Sequence, residues 1–135
     1  MNITEPSFDE SEIAILRECL NSKWVTQGPL TERFEKLIAA KHEVKHALAC
    51  TSCTAALHLA TLALNLGSGD EVIVPAFTWV TSAHSAEYVG AKPVFVDIDL
   101  STFNIAPERL EAAITPRTKW LILNSPSNPS GAGYD

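Results

Sequence analysis

Residues 54–66, T-A-A-L-H-L-A-T-L-A-L-N-L, place apolar side chains on every face of a helix, interrupted only by single Thr, His and Asn residues. A helix of that composition belongs in an interior. The segment before it adds a second constraint. Residues 45–50 end in A-L-A-C and read as a short buried strand, and Thr51, Ser52 and Cys53 form a polar turn. The first turn of the helix then presents backbone N–H groups without intrahelical partners, at the end where the helix dipole favours an anion. Ser52 or Thr54 can cap that end and offer a hydroxyl. A strand, a hydroxyl-rich turn and a helix together form a place to hold a phosphate. The same residues also suit a capped core helix with no ligand.

The rest of the chain repeats the strand–helix order. Ser7 with Glu10 forms a capping-box pattern before a helix reaching about Leu20, with Ile13, Leu16 and Leu20 on one face. W-V-T-Q-G-P (residues 24–29) breaks it. A second helix covers residues 31–41 with Phe34, Leu37 and Ile38 inward. Gly67 is the expected left-handed cap of the 54–66 helix. E-V-I-V-P (71–75) has the uninterrupted apolar core of a parallel strand. A helix to about Val89 follows and ends at Gly90. K-P-V-F-V-D (92–97) is a further strand, Pro107 opens a helix running to Ile114, and residues 118–124 form a last strand. S-P-S-N-P-S-G-A-G-Y-D (125–135) is turn chemistry. This order implies right-handed crossovers and a mostly parallel α/β sheet of four strands.

Ligands of such sheets sit outside the carboxyl ends of the strands. Residues 51–55, 76–79, 97–99 and 125–131 are expected to converge there. A formal charge of −6 points away from nucleic acid and anionic membrane surfaces, and no apolar run reaches bilayer length. The N-terminal M-N-I-T-E-P-S-F-D-E lacks the pattern of a secretory signal. Three cysteines, an odd number, fit a reducing cytoplasm. The 135 residues suffice for one domain, divided into an N-terminal helical segment (1–44) and an α/β part (45–135).

Four ordered stretches carry a family resemblance: T-S-C-T-A-A-L-H-L-A, G-S-G-D-E-V-I-V-P-A-F-T-W-V, G-A-K-P-V-F-V-D-I-D and I-T-P-R-T-K. In sequence and spacing, residues 24–119 resemble the DegT/DnrJ/EryC1/StrS sugar aminotransferases, within fold type I of the pyridoxal-phosphate enzymes. The resemblance implies the start of the large domain of that fold, a partial three-layer sandwich. It implies pyridoxal 5'-phosphate as cofactor, a nucleotide-linked keto-sugar and an amino-acid donor as substrates, and a homodimer in the full-length family. The cofactor needs an anion site, a flat face against its ring, a carboxylate on its ring nitrogen and a lysine for the Schiff base. The resemblance assigns Cys53, Thr54 and Ala55 to the phosphate and Trp79 to the ring face. It also puts the 24–29 loop near the active site.

Two departures qualify it. Residues 120–134 resemble instead the aspartate-type aminotransferases, in which Asn128 matches the residue bonded to the cofactor's ring hydroxyl. The six lysines (23, 36, 41, 45, 92 and 119) include none at the family's lysine motif, and Asp97 and Asp99 match a turn rather than the ring-nitrogen partner. No catalytic residue is therefore assigned. The chain reads as an N-terminal portion without the Schiff-base lysine, inactive alone, with exposed parallel edges that favour association.

Other readings compete. One is a non-catalytic truncated remnant. Another is thiol redox chemistry, since Cys50-Thr51-Ser52-Cys53 is a C-x-x-C at a helix start. A metal site lacks a second Cys or His pair at ligand spacing, and His42, His46, His58 and His84 are scattered.

Overall fold

The computed structural model describes residues 5–134. Residues 1–4, on which part of the leader-free reading rests, and Asp135, the end of the expected terminal turn, lie outside them. The chain forms two compact units that divide between Ala49 and Cys50.

The first unit contains α1 (Glu10–Ser22) and α2 (Pro29–Lys41). The cap of α1 is Asp9, not Ser7. Its carboxylate accepts from the Ser11 N–H, and the Glu12 side chain accepts from the Asp9 N–H. Ser7-x-x-Glu10 and Asp9-x-x-Glu12 are overlapping versions of one pattern, and the second closes both bonds. Helix α2 starts two residues earlier than expected, with Pro29 at its first position behind Gly28. Neither helix holds a buried residue. Phe34 and Leu37, expected inward, are exposed and Ile38 is half-buried, and Ile13, Leu16 and Leu20, expected to share one face of α1, are exposed as well. Two helices alone cannot cover both of their own apolar stripes. An Arg33–Glu18 ion pair at 3.3 Å spans the helices.

Residues 45–50 form no strand. The Ala49 N–H donates to the Glu35 carboxylate at 2.9 Å instead of to a neighbouring strand.

The second unit contains α3 (Cys53–Ala63), β1 (Glu71–Pro75), α4 (Thr81–Glu87), β2 (Lys92–Val96), α5 (Pro107–Ala113) and β3 (Thr118–Leu121). The sheet is parallel, three-stranded rather than four, in the order β2-β1-β3. All five residues of β1 are buried, as its apolar run requires of a central strand. Side chains alternate along it. Val72 and Val74 join Leu66, Ala86, Ala91 and Ile122 in one cluster. Ile73 joins Val96 and Ile105 in another, against which Leu110 and Ala113 pack. Helix α5 thus covers one face, while α4, backed by α3, covers the other. Pro93 sits on β2, an outer strand, where its missing N–H costs little.

At the amino end of the sheet, Glu71 is 3% exposed. The Arg117 guanidinium donates to one carboxylate oxygen at 2.7 and 3.0 Å, and the Thr115 hydroxyl donates to the other at 2.6 Å. The register between β1 and β3 shifts between Glu71 and Val72, beside this bond set.

Helix α3 is not the enclosed helix its composition suggests. Thr61 is its one buried residue, and Leu59 and Leu62 are exposed. Its left-handed residue is Asn65 (φ 53°), not Gly67. Gly90 takes φ 78° where the segment after α4 turns into β2, the role expected of it.

Candidate functional site

Three of the four expected segments follow the carboxyl ends of the strands: residues 76–79 after β1, 97–99 after β2 and 125–131 beyond β3. Short bonds fix the first of these. The Ala76 N–H donates to the Val96 carbonyl at 2.8 Å, and the Ser82 N–H donates to the Trp79 carbonyl at 3.0 Å. Trp79 is 54% exposed, so its indole presents an open face. Phe77 packs against Phe103, with ring centroids 5.6 Å apart.

The Asp97–Asp99 turn is closed on itself. Asp97 pairs with Arg109, in the first turn of α5. One Asp99 oxygen accepts from the Ser101 hydroxyl and from the Ser101 and Thr102 N–H groups, and these bonds hold its carboxyl below its ordinary range. That carboxylate is committed to the turn. A cavity of about 490 Å³ lies beside Asp99, Asn104 and Tyr134, and its lining includes none of the candidate cofactor residues.

Residues 51–55 open α3. Ser52 is the cap, with extended backbone, and its hydroxyl accepts from the Ala55 N–H at 3.1 Å. Of the three residues assigned to an anion, Ala55 therefore has its N–H engaged by the cap. The N–H groups of Cys53 and Thr54 lie ahead of the first intrahelical bond. Cys53 is exposed, and Thr54 and Ala55 are half-buried. Asn128 is exposed in the last loop, where the Ser127 N–H donates to the Ala132 carbonyl at 2.8 Å. Nothing among the described hydrogen bonds joins the 51–55 turn to Trp79 or to Asn128.

A link that the sequence does not announce joins two of the loops. The Asn124 amide donates to the Thr78 hydroxyl at 3.2 Å, and the Thr78 and Ser82 hydroxyl oxygens lie 3.3 Å apart. Thr78 and Ser82 are 4 positions apart and meet locally, whereas Asn124 and Thr78 are 46 apart and are brought together by the parallel pairing of β1 and β3.

Cys50 and Cys53 are exposed thiols, and Cys19 is half-buried. Among the described residues no group of three or more His, Cys, Asp or Glu side chains could hold a metal ion, and no helix is long and apolar enough to cross a membrane.

The parallel sheet between helical layers superposes on fold type I pyridoxal-phosphate aminotransferases, and that is its fold class. The chain belongs to the DegT/DnrJ/EryC1/StrS aminotransferase family, whose model matches residues 6–125. It is 47% identical over 123 residues to the GDP-perosamine synthase of Caulobacter vibrioides, covering 90% of this chain and 33% of that one. Spr1654 of Streptococcus pneumoniae, named as a sugar aminotransferase, superposes in its PMP form with a TM-score of 0.85 at 39% identity, over 91% of this chain and 31% of that one. It is also solved in a PLP form. The GDP-4-keto-6-deoxy-D-mannose-3-dehydratase of E. coli, with hydrated PLP bound, gives a TM-score of 0.82 at 32% identity, over 90% of this chain and 33% of that one. The chain spans about a third of the length of the relatives it matches. The cofactor of this family is pyridoxal phosphate.

Proposed function

We propose that this chain is the cofactor-receiving part of an aminotransferase that moves an amino group from an amino acid to a nucleotide-linked keto-sugar. The exposed Trp79 indole, held at the carboxyl end of β1, carries this reading. Pyridoxal phosphate supplies the electron sink for moving the amino group and its proton. The Cys53 and Thr54 N–H groups and the Thr54 hydroxyl would hold its phosphate, with Ala55 closing the turn through the Ser52 cap. Trp79 would cover one ring face and exclude water from it, a contact worth about 0.5–1.5 kcal/mol beyond area burial. The Asn128 amide would donate to the ring hydroxyl. Amino transfer is favoured over dehydration by the higher identity to Spr1654 than to the dehydratase.

Neither lysine of the second unit suits a bond to the cofactor. Lys92 is the first residue of β2 and Lys119 the second of β3, at the amino ends of the strands. No turnover by this chain alone is therefore proposed. A homodimer fits the exposed apolar residues Leu59, Leu62, Val80 and Tyr88. A cytoplasmic setting fits the cysteine usage. A division into residues 1–44 and 45–135 follows where the resemblance begins its cofactor part.

Equilibrium dialysis against pyridoxal phosphate tests the reading. Saturable binding is expected, displaced by inorganic phosphate and weakened in both Thr54→Val and Trp79→Phe. Binding that is non-saturable, or indifferent to both substitutions, contradicts it.

A further inference from the structure

An indole that is 54% exposed relies in part on its backbone for its position. The bonds on either side of Trp79 hold that backbone. Behind it, its carbonyl accepts from the Ser82 N–H at 3.0 Å. Ahead of it, the Thr78 hydroxyl accepts from the Asn124 amide at 3.2 Å and lies 3.3 Å from the Ser82 hydroxyl. A hydroxyl that accepts one hydrogen bond can still donate its own proton or accept a second bond, so Thr78 and Ser82 can pair with either one as donor. Ser82 is buried, and its carbonyl accepts from the buried Ser85 hydroxyl at 2.9 Å. The result is a continuous polar chain from the segment after β3, through the Trp79 turn, into the packed interior of α4. Asn124 stands four residues before Asn128. One amide–hydroxyl bond therefore ties the loop bearing Asn128 to the turn bearing Trp79.

We infer that Asn124, Thr78 and Ser82 are positioning residues, which hold the backbone from which the Trp79 indole projects and lock it to the Asn128 loop, so that both meet the cofactor ring as one surface. This rests on the reading that Trp79 receives that ring. The bonds that these three residues make reach Trp79 through its backbone carbonyl and its chain neighbour Thr78, so their effect passes through the backbone.

The test uses the full chain labelled with 5-fluorotryptophan. The Trp79 fluorine resonance is identified by its loss in Trp79→Phe. Thr78→Val deletes the hydroxyl at nearly constant shape, Thr78→Ser keeps it, and Asn124→Ala breaks the link from the other side. Without cofactor, Thr78→Val and Asn124→Ala are expected to shift and broaden the Trp79 resonance, with those of Trp24 and Trp120 unmoved and Thr78→Ser unchanged. With pyridoxal phosphate, each of the two disruptive variants loses about three- to tenfold in affinity, the value of one neutral hydrogen bond. The double variant loses no more than either alone, and Thr78→Ser binds as the unaltered chain. An unmoved Trp79 resonance in Thr78→Val and Asn124→Ala overturns the inference, whatever the cofactor does. A displaced resonance with unchanged affinity overturns the coupling to the cofactor. Absence of binding by the unaltered chain overturns the proposed function instead, and the fluorine spectra then still decide whether the three residues position the indole.

Discussion

Gly28 shows how narrowly one residue is fixed. A Cβ built on it would lie 2.2 Å from two atoms of the Trp24 indole, whose ring N–H donates to the Gln27 carbonyl at 2.6 Å. Its φ of −170° is open to any residue, so the constraint is space and not backbone strain. Gly28→Ala should displace the indole and destabilise the chain by about 1–3 kcal/mol, the usual cost of overpacking, read by urea titration. Glu71 is fixed by charge. The Thr115 hydroxyl, followed by Arg117, holds its carboxyl below the ordinary value of 4.5. A lowered folded pKa contributes stability that is fully present above 4.5 and is lost as pH falls through the folded value. Thermal stability should therefore drop on acidification below about 4.5, and Glu71→Gln should flatten that part of the profile; an unchanged acid slope in the variant would refute the assignment. Neither interaction was legible beforehand. The Glu71–Thr115 bond joins residues 44 apart, and the Gly28 contact depends on the rotamer of Trp24.

At the scale of elements, strong local chemistry was readable. The E-V-I-V-P run gave β1 at its observed bounds, and Pro107 opens α5 as its fixed φ favours. Choices between nearby signals were not readable. Two capping patterns overlap before α1, and only closure of both bonds selects Asp9. Residues 45–50 have strand composition but form no strand, and composition alone forms no ladder. Helix α3 shows the same limit for burial, because an all-apolar sequence reports what a helix needs covered and not what covers it. Its cap makes a separable prediction. Ser52→Ala should lower stability by about 0.5–2 kcal/mol, the usual value of a lost cap, measured by denaturant unfolding. It also releases the Ala55 N–H, so phosphate affinity should not fall in proportion to stability. A parallel collapse of both would mean that the cap hydroxyl is itself an anion ligand.

At the scale of the molecule, the second unit has a closed core and open sides. Ile73 is 1% exposed at the centre of β1, and Ile73→Ala should cost roughly 2–5 kcal/mol, enough to unfold a marginal chain. Among the described residues, β2 and β3 each pair on one side only, and Phe95 on β2 is exposed. Unpaired apolar edges recruit other chains. Sedimentation should therefore show concentration-dependent association, and a monomer across the micromolar range would contradict that. The class of fold was legible because helix–strand alternation dictates it, and so was the position of residues 76–79, 97–99 and 125–131 beyond the carboxyl ends of the strands. The placement of the 51–55 turn was not, since it depends on packing rather than on order.

The most direct measurement is a fluorescence titration of the chain with pyridoxal phosphate, repeated with Trp79→Phe and followed by borohydride reduction. Saturable quenching that disappears with Trp79 is expected, with no lysine adduct after reduction. Quenching that persists in Trp79→Phe, or a stoichiometric lysine adduct, would contradict that expectation.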